Sequence, residues 1–587
     1  MMSRSPYPPK RILFPCVLAL VSLCACSPAV IDETLGVGNG EYDKPVLDAP
    51  PAMGKDDSIS GVLGPPEESS ASDTRVWATP NRWTDRSTPA AREAGLAWDE
   101  YSGLDWNEKY ALWIASMNKI PRDNGYGSTF ELTTPWGVRL PSPALECAEA
   151  SVFLRVTFAS WYGLPFYISA WTPTGSWYFG HFGIWTDHGP VPNFPTFATR
   201  YEDFTDVALD EDLGNWPVDS KLAKRKISVR GDDRNPWLGE NAYAGAYFDR
   251  IFLNKRTGHF MVYILTYTGS MHLASSTNTF NLVPTAVREG DTLLKRWQKK
   301  GIGHTMVVKS VDRMPDGEHL EVEIMSGSMP RRQPVWDNSG ASKSAFTNHY
   351  AGGEGMSSHG HSYAELGGGI KRWRVAVVHN GRWRNEVAEN DAHFYIPSTD
   401  LNAVSARPGQ FESLLVQLSP EEKVQMLLEL IESKRQHLRE YPASCSARIV
   451  REDAFDELAE VSQREMGMDR EWVDNQYRTL EDYVFGELLY EHSRTCCWNS
   501  STNAMYHIIM GLNHEIQDAA ETNGECVSPT IFKMVDGEYR VFWDYALEHG
   551  LGDMWNPWSE DEECPQGSSV LTDIEVVRDW TAFCPIP

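Results

Sequence analysis

Basic residues are in short supply in this sequence. Lys and Arg total 53 against 81 Asp and Glu, a net charge of −28 over 587 residues. That balance excludes the basic face that a nucleic-acid binder needs. Long apolar runs are missing after residue 26, so no membrane-spanning helix is expected in the rest of the chain. Metal motifs are missing as well: there is no paired-cysteine motif and no helix with two histidines one turn apart. His349, His359 and His361 read as histidines of a Gly/Ser-rich loop, and Asn513-His514-Glu515 lacks the second histidine of a metallopeptidase helix. The glycines at 367–369 precede a strand rather than a helix, which excludes a phosphate-cradling turn. Neither a metal nor another cofactor is expected, and no internal repeat is evident.

Cysteine is almost absent from the middle of the chain. Of ten cysteines, Cys16, Cys24 and Cys26 lie near the start, and Cys445, Cys496, Cys497, Cys526, Cys564 and Cys584 lie in the last quarter. Cys147 stands alone between the two groups. The first group belongs to an export signal. Arg4, Lys10 and Arg11 precede an apolar stretch over 12–23, too short to span a bilayer. The following Leu23-Cys24-Ala25-Cys26-Ser27 resembles the bacterial lipobox. That resemblance implies acylation of Cys26 and attachment to the lipid bilayer, with Ser27 resembling outer-membrane sorting. An ordinary secretory signal is the other reading of the same residues. Outside the cytoplasm, six late cysteines suggest three disulfides of open connectivity, with the neighbours Cys496 and Cys497 each paired elsewhere. Cys147 is then left over, either buried and inert or kept for chemistry.

Four regions follow from composition. Residues 1–26 are the signal, and residues 27–75, rich in Pro, Gly, Ser and acid, read as a disordered tether. Aromatic content rises at Trp77 and Trp83, opening a domain over 76–407. A mainly helical, disulfide-rich domain is expected over 408–587, where Ser419-Pro420-Glu421-Glu422 has the spacing of a helix start. Further helices are expected near 452–465, 470–492 and 500–518.

Within the first domain, residues 141–165 organise the reading. Pro141, Ser142 and Pro143 precede Cys147, apolar residues recur at helical spacing through Trp161, and Gly163 and Pro165 end the run. A thiol in a first helical turn meets unpaired N–H groups and the positive end of the helix dipole, which favour thiolate. A short helix is expected over 105–117, and strands over 166–171, 179–185, 260–268, 321–325 and 371–378, the last closing a sheet. Residues 186–245 read as an irregular insertion able to shape a groove. Residues 287–294 give a Gly-Asp turn into an apolar strand, and 301–308 put His304 behind a glycine turn at the head of the next. A hairpin turn is expected at 314–317.

A helix-borne cysteine, then a Gly-Asp turn and a strand headed by histidine, is the order of papain-like cysteine peptidases. Here the segments around Cys147, Gly290-Asp291 and Gly303-His304 resemble the NlpC type, and the Gly-Leu-Pro after the helix is similar to transglutaminase-like proteins. The resemblance covers a minority of the chain. It implies an α+β fold, a papain-like helix packed on an antiparallel sheet with a large insertion, followed by the helical disulfide-stapled domain. It also implies Cys147 as nucleophile and His304 as base, with a third polar residue orienting the imidazole; Glu323 and Ser326 are both candidates. His181 and His259 also follow a glycine, but no Gly-Asp turn precedes either. Arg331 and Arg332 form a pair that a substrate carboxylate could use, though such loop arginines are commonplace. The expected activity is hydrolysis or acyl transfer at amide bonds, with peptidoglycan peptides as the substrate class. The alternative is a degenerate papain-like lipoprotein that binds wall glycan or an envelope protein.

Overall fold

The computed structural model describes residues 64–80, 87–98, 102, 104–124, 127–172, 175–229, 231–299, 303–357, 360–416, 418–440, 445–484, 503–530 and 540–554. The signal, Cys26 and the tether up to residue 63 lie outside them. The described chain is a mixture of helices and antiparallel sheets. Its largest sheet has seven strands, in the order Val335–Asp337, Leu320–Ser326, His304–Arg313, Thr292–Lys295, Gly369–Trp373, Thr279–Leu282 and Tyr395–Ile396. Every neighbouring pair is antiparallel.

Alternation along these strands separates two cores. Leu294, Val307 and Met325 join the aromatic-rich core that surrounds the helix Cys147–Trp161. Leu293, Met306, Val308 and Ile324 face the opposite way, onto Phe346 and Phe411. The cysteine helix is apolar almost all round, and thirteen of its fifteen residues are buried. It starts where the Glu149 carboxylate accepts the Glu146 amide at 2.8 Å. It ends at Gly163, whose φ of +64° only glycine adopts without strain.

The helix Trp106–Ser116, capped by Asp105, matches the expected one. So do the strands of the Gly-Asp and histidine segments, and the turn from the histidine strand into Leu320–Ser326, where Gly317 N–H donates to the Met314 carbonyl. Several expectations fail. Residues 260–267 belong to the helix Lys255–Tyr267, capped by Asn254, and Thr268 follows it in extended conformation. Phe260, Met261, Val262, Ile264 and Leu265 are all buried, and a fully buried apolar run carries no period that separates strand from helix. The single strand expected over 179–185 is a hairpin of Gly175–Gly180 and Gly183–Thr186, turning at His181 and Phe182. The 371–378 stretch is two strands in different sheets: Gly369–Trp373 lies inside the large sheet, and Val375–His379 pairs with Arg382–Glu386. The tether gives way to packed chain earlier than expected, since Gly64 N–H donates to Trp383 O and Glu67–Ala71 forms a 3₁₀ turn. Over 186–245 the described chain is largely irregular as expected, with the two-residue strand Gly189–Pro190 and the short turns Phe197–Arg200 and Pro236–Leu238 before the helix Ala244–Ile251 begins.

The change of texture near residue 407 falls inside the sheet's own layer. Arg407 is fully buried, donating to the carbonyls of Gly368 and Ile370, and Phe411 sits in the second core. Helices Pro420–Glu440, Cys445–Met466, Arg470–Tyr477, Leu480–Val484, Asn503–Asn523 and Arg540–Glu548 follow. The expected helix over 470–492 is interrupted at Thr479, whose amide is taken by the Asp482 carboxylate. Leu427, Ile431, Phe455, Leu458 and Val473 make the helical core, which Ala341 and Leu418 join from the side of the sheet domain. Cys526 is half of a disulfide. The side chains of Cys445, Cys496, Cys497, Cys564 and Cys584 lie outside the described residues, so no complete bridge is described.

Candidate active site

Cys147 is the first residue of its helix, half-buried, with its thiol free. The sulfur lies 3.8 Å from the carbonyl oxygen of Gly303, 156 residues away and immediately before His304. The amides of Thr305 and Ala148 also point at it. The two segments singled out by sequence therefore meet. They do not meet through their side chains: among the described residues, no hydrogen bond joins the thiol to the His304 ring. Thr305 and Val307 alternate toward the cysteine helix, which turns His304 and Met306 to the other face.

The electrostatics also depart from expectation. Burial pushes the Cys147 thiol up to about 11, with Glu146 and Glu149 adding to the effect and the Thr305 and Ala148 amides opposing it. The helix start therefore does not yield a resting thiolate, because burial and two carboxylates outweigh the amides. Burial takes the His304 imidazole down to about 3, assisted by Lys295, Lys434 and Arg332. Lys295 lies opposite His304 in the strand register. Lys434 belongs to the helix Pro420–Glu440, as does His437, whose Nδ1 contacts the Arg332 guanidinium.

The loop after the return strand fastens the start of the cysteine helix. Arg332 O accepts from Leu145 N, and Ser328 N donates to Leu145 O. Gln333 Nε2 donates to Ser142 O while its Oε1 accepts from Asp123 N. Arg331, offered above as a substrate anchor, is instead committed to the protein. Its guanidinium reaches Glu149 at 2.6 Å, Asp232 at 3.0 Å and Glu146 at 3.4 Å. These three carboxylates raise its pKa even though burial works the other way.

Neither candidate third residue hydrogen-bonds the imidazole. The Glu323 carboxylate binds Lys119 at 3.3 Å and the Trp336 indole at 2.6 Å. Glu323 lies opposite Ser310, about 20 Å along the strand from His304. Ser326 is closer: it is buried and follows Met325, the partner of Val307, so it sits about two residues from the His304 level. The rival histidines are engaged elsewhere. His181 is fully buried, with Nδ1 at 3.0 Å from Phe166 O. His259 lies on a helix, stacked on Tyr201 at 3.7 Å, with Nε2 at 2.9 Å from Asp219.

Sequence reading missed Arg296 and Ser270. Arg296 Nη1 donates to Ser270 Oγ, which also accepts from Gly303 N at 2.9 Å. A hydroxyl and a guanidinium thus brace the peptide whose carbonyl touches the sulfur. The glycine preceding His304 was the available signal, because a Cβ at Gly303 would stand 2.7 Å from both Arg296 Cδ and Lys295 O.

His349 is exposed and packs on Tyr350 and Tyr363, His361 is half-buried, and His359 lies outside the described residues. Among the described residues no group of three or more His, Cys, Asp or Glu could hold a metal ion, and no helix is long and apolar enough to cross a membrane. Comparison with family models, with curated proteins and with solved structures finds no match to this chain.

Proposed function

We propose that this chain is an envelope-anchored cysteine hydrolase or acyltransferase acting on amide bonds of cell-wall peptides, with a papain-like catalytic layer. The observation that carries the reading is the meeting of Cys147 Sγ with the peptide just before His304. In the reaction His304 accepts the thiol proton and the sulfur attacks the substrate carbonyl carbon. Backbone N–H groups at the helix start hold the oxyanion. Collapse expels the amine, which takes the proton back from His304, and leaves an acyl-thioester. Water or a second amine then releases the acyl group. Because thiol and imidazole are both neutral at rest, proton transfer has to accompany substrate binding and a rearrangement of the strand start that brings His304 to the sulfur's face of the sheet.

The anchor in this reading is an acylated Cys26 in the lipid bilayer, supported by the lipobox-like residues Leu23-Cys24-Ala25-Cys26-Ser27. The late cysteines pair as three disulfides. The decisive test is release of peptides from purified peptidoglycan by the wild-type protein and by Cys147→Ala. Equal release by the two proteins ends the catalytic reading. A second reading, a degenerate papain-like module that binds wall glycan or an envelope protein, is favoured by one observation: three cations surround the candidate base, while two carboxylates flank the thiol. Binding of peptidoglycan by Cys147→Ala, together with no turnover by wild type, selects it.

A further inference from the structure

A cavity lies where the helix Trp106–Ser116, the helix Cys147–Trp161 and the Gly290–Asp291 turn come together. About 10 Å³ of it is open to the centre of a water-sized sphere, which is room for one small species. Its wall includes Asn107, Tyr110, Arg155 and Trp373, each more than nine-tenths buried. Three of these carry a polar hydrogen that no described residue accepts, on Asn107 Nδ2, Tyr110 Oη and Trp373 Nε1. A buried donor without an acceptor is costly, and three on one cavity wall call for a ligand that accepts. The Asn107 amide is oriented by Arg155, whose Nη2 donates to Oδ1 at 2.7 Å and so leaves Nδ2 for the cavity. The Tyr110 ring lies 4.9 Å from the same guanidinium and packs on Gly290, where a Cβ would stand 2.4 Å from its Cε1. The glycine of the Gly-Asp turn thus makes room for the phenol.

The charges on this wall differ in how they are paired. Arg372 is bound by Asp291 at 2.7 Å and by Asp391 at 2.6 Å, and Arg288 shares Asp391 at 3.2 Å. Both Asp291 oxygens are engaged by Arg372, and one of them also accepts the Arg288 amide. Glu289 accepts from Val311 N, and burial favours its neutral form. Of the three arginines, Arg155 alone has no carboxylate within ion-pair distance among the described residues. Burial lowers its pKa only to about 10, so it is a cation at neutral pH. We propose that this cavity binds one halide ion, chloride, held by the Arg155 guanidinium with the Tyr110 hydroxyl, the Asn107 amide and the Trp373 indole as donors. A halide accepts from all of these groups and needs no acceptor in return. A water molecule accepts from two and then requires acceptors for its own hydrogens, while the cation stays uncompensated. The ion joins the cysteine helix to the helix before it and to the turn that opens the strand Thr292–Lys295. This inference stands whether or not the chain is a hydrolase.

The test is thermal melting of the full-length protein in sodium chloride against sodium gluconate at equal ionic strength, with anomalous scattering from bromide-soaked crystals to locate the ion. Chloride should raise the midpoint by about 2 °C or more, and bromide should give a peak beside Arg155 and Tyr110. Equal midpoints overturn the proposal: with no bromide peak the cavity holds water, and with a peak the site is filled at crystal concentration only. A peak elsewhere overturns it too. Tyr110→Phe keeps the ring and removes one donor, so it should raise the chloride concentration at half effect by about tenfold. Arg155→Met should abolish the chloride dependence, and a wild-type dependence in that variant, once shown to be folded, sinks the proposal. If Arg155→Met does not fold, Tyr110→Phe decides by itself. An unchanged chloride dependence there means that the ion sits away from the phenol, and the assignment is wrong.

Discussion

The surroundings of Cys147 and those of His304 are opposite in sign. At the cysteine, Glu146 and Glu149 approach from the same helix start, with Asp232 beside them, and one arginine, Arg331, binds all three. At the histidine, Lys295, Lys434 and Arg332 converge, and burial raises the pKa of the nearby Asp337 carboxyl, so its own negative charge is disfavoured. Acids next to the thiol and cations next to the imidazole act in one direction. Both resist an ion pair in which the sulfur is negative and the ring positive. The lesson is that a shared chain order does not guarantee a shared resting charge state. If this centre works, it works from a neutral pair that substrate must tip.

The largest effect that would sharpen the comparison is loss of the sulfur. Cys147→Ala should lower peptide release by about 10³-fold or more, measured as turnover on peptidoglycan fragments. Next comes the clamp on the acidic side. Arg331→Met should destabilise the fold by about 3–5 kcal/mol in denaturant melts, because it leaves Glu149 as a buried, uncompensated carboxylate with the half-buried Asp232 beside it. A change below about 1 kcal/mol would show that these carboxylates are not held as charges.

A pH titration probes both sides at once. His304 stays neutral down to about 3 in the folded chain, against an ordinary value of 6.5. Between those values the unfolded chain binds more protons, so stability rises with pH and is lost as pH falls from 6.5 toward 3. His181 behaves in the same way, going down to about 3 through burial. Cys147 keeps its proton up to about 11 against an ordinary 9.0, so its contribution to stability declines as pH rises through that interval. Denaturant midpoints across the range should fall at both ends. Alkylation of wild-type Cys147 should have its inflection near 11; an inflection below 8 would mean a resting thiolate.

Smaller effects come from single charges. Lys434→Met removes one cation from the histidine and should raise its proton affinity, moving the acid limb of the activity profile upward and changing the rate by about threefold. The smallest belongs to Glu323→Gln. Its pairing with Lys119 is partly exposed, so stability should change by less than about 0.5 kcal/mol and turnover by less than about twofold. A tenfold loss of turnover would restore Glu323 as the partner of the imidazole, against its place in the strand register.

What the sequence revealed is local, and what it hid is distant. Prolines before Cys147, glycine after Trp161 and two-residue alternation from 292 to 325 place the helix and three central strands, because each signal is spent within one turn or one hairpin. The run over 260–268 misled because five of its first six residues are buried, which leaves too little polar contrast to mark a period. Residues 371–378 misled because the chain leaves one sheet at Arg374 and enters another, a change no propensity marks. The site followed the same division. Cysteine and histidine were found from their neighbours in sequence, but Arg331 meets Glu149 across 182 residues and Arg296 meets Ser270, 26 residues earlier. Such pairings are decided by packing, and no spacing announces them.

The position of Lys434 and His437 has a practical consequence for anyone dividing the gene. A fragment cut at residue 407 would lose Phe411 from beneath the sheet and strip the roof from the histidine's side of the strand. The helix Pro420–Glu440 therefore belongs to the same packed body as Cys147 and His304 rather than being cargo attached to it. The shortest piece worth expressing extends beyond Glu440.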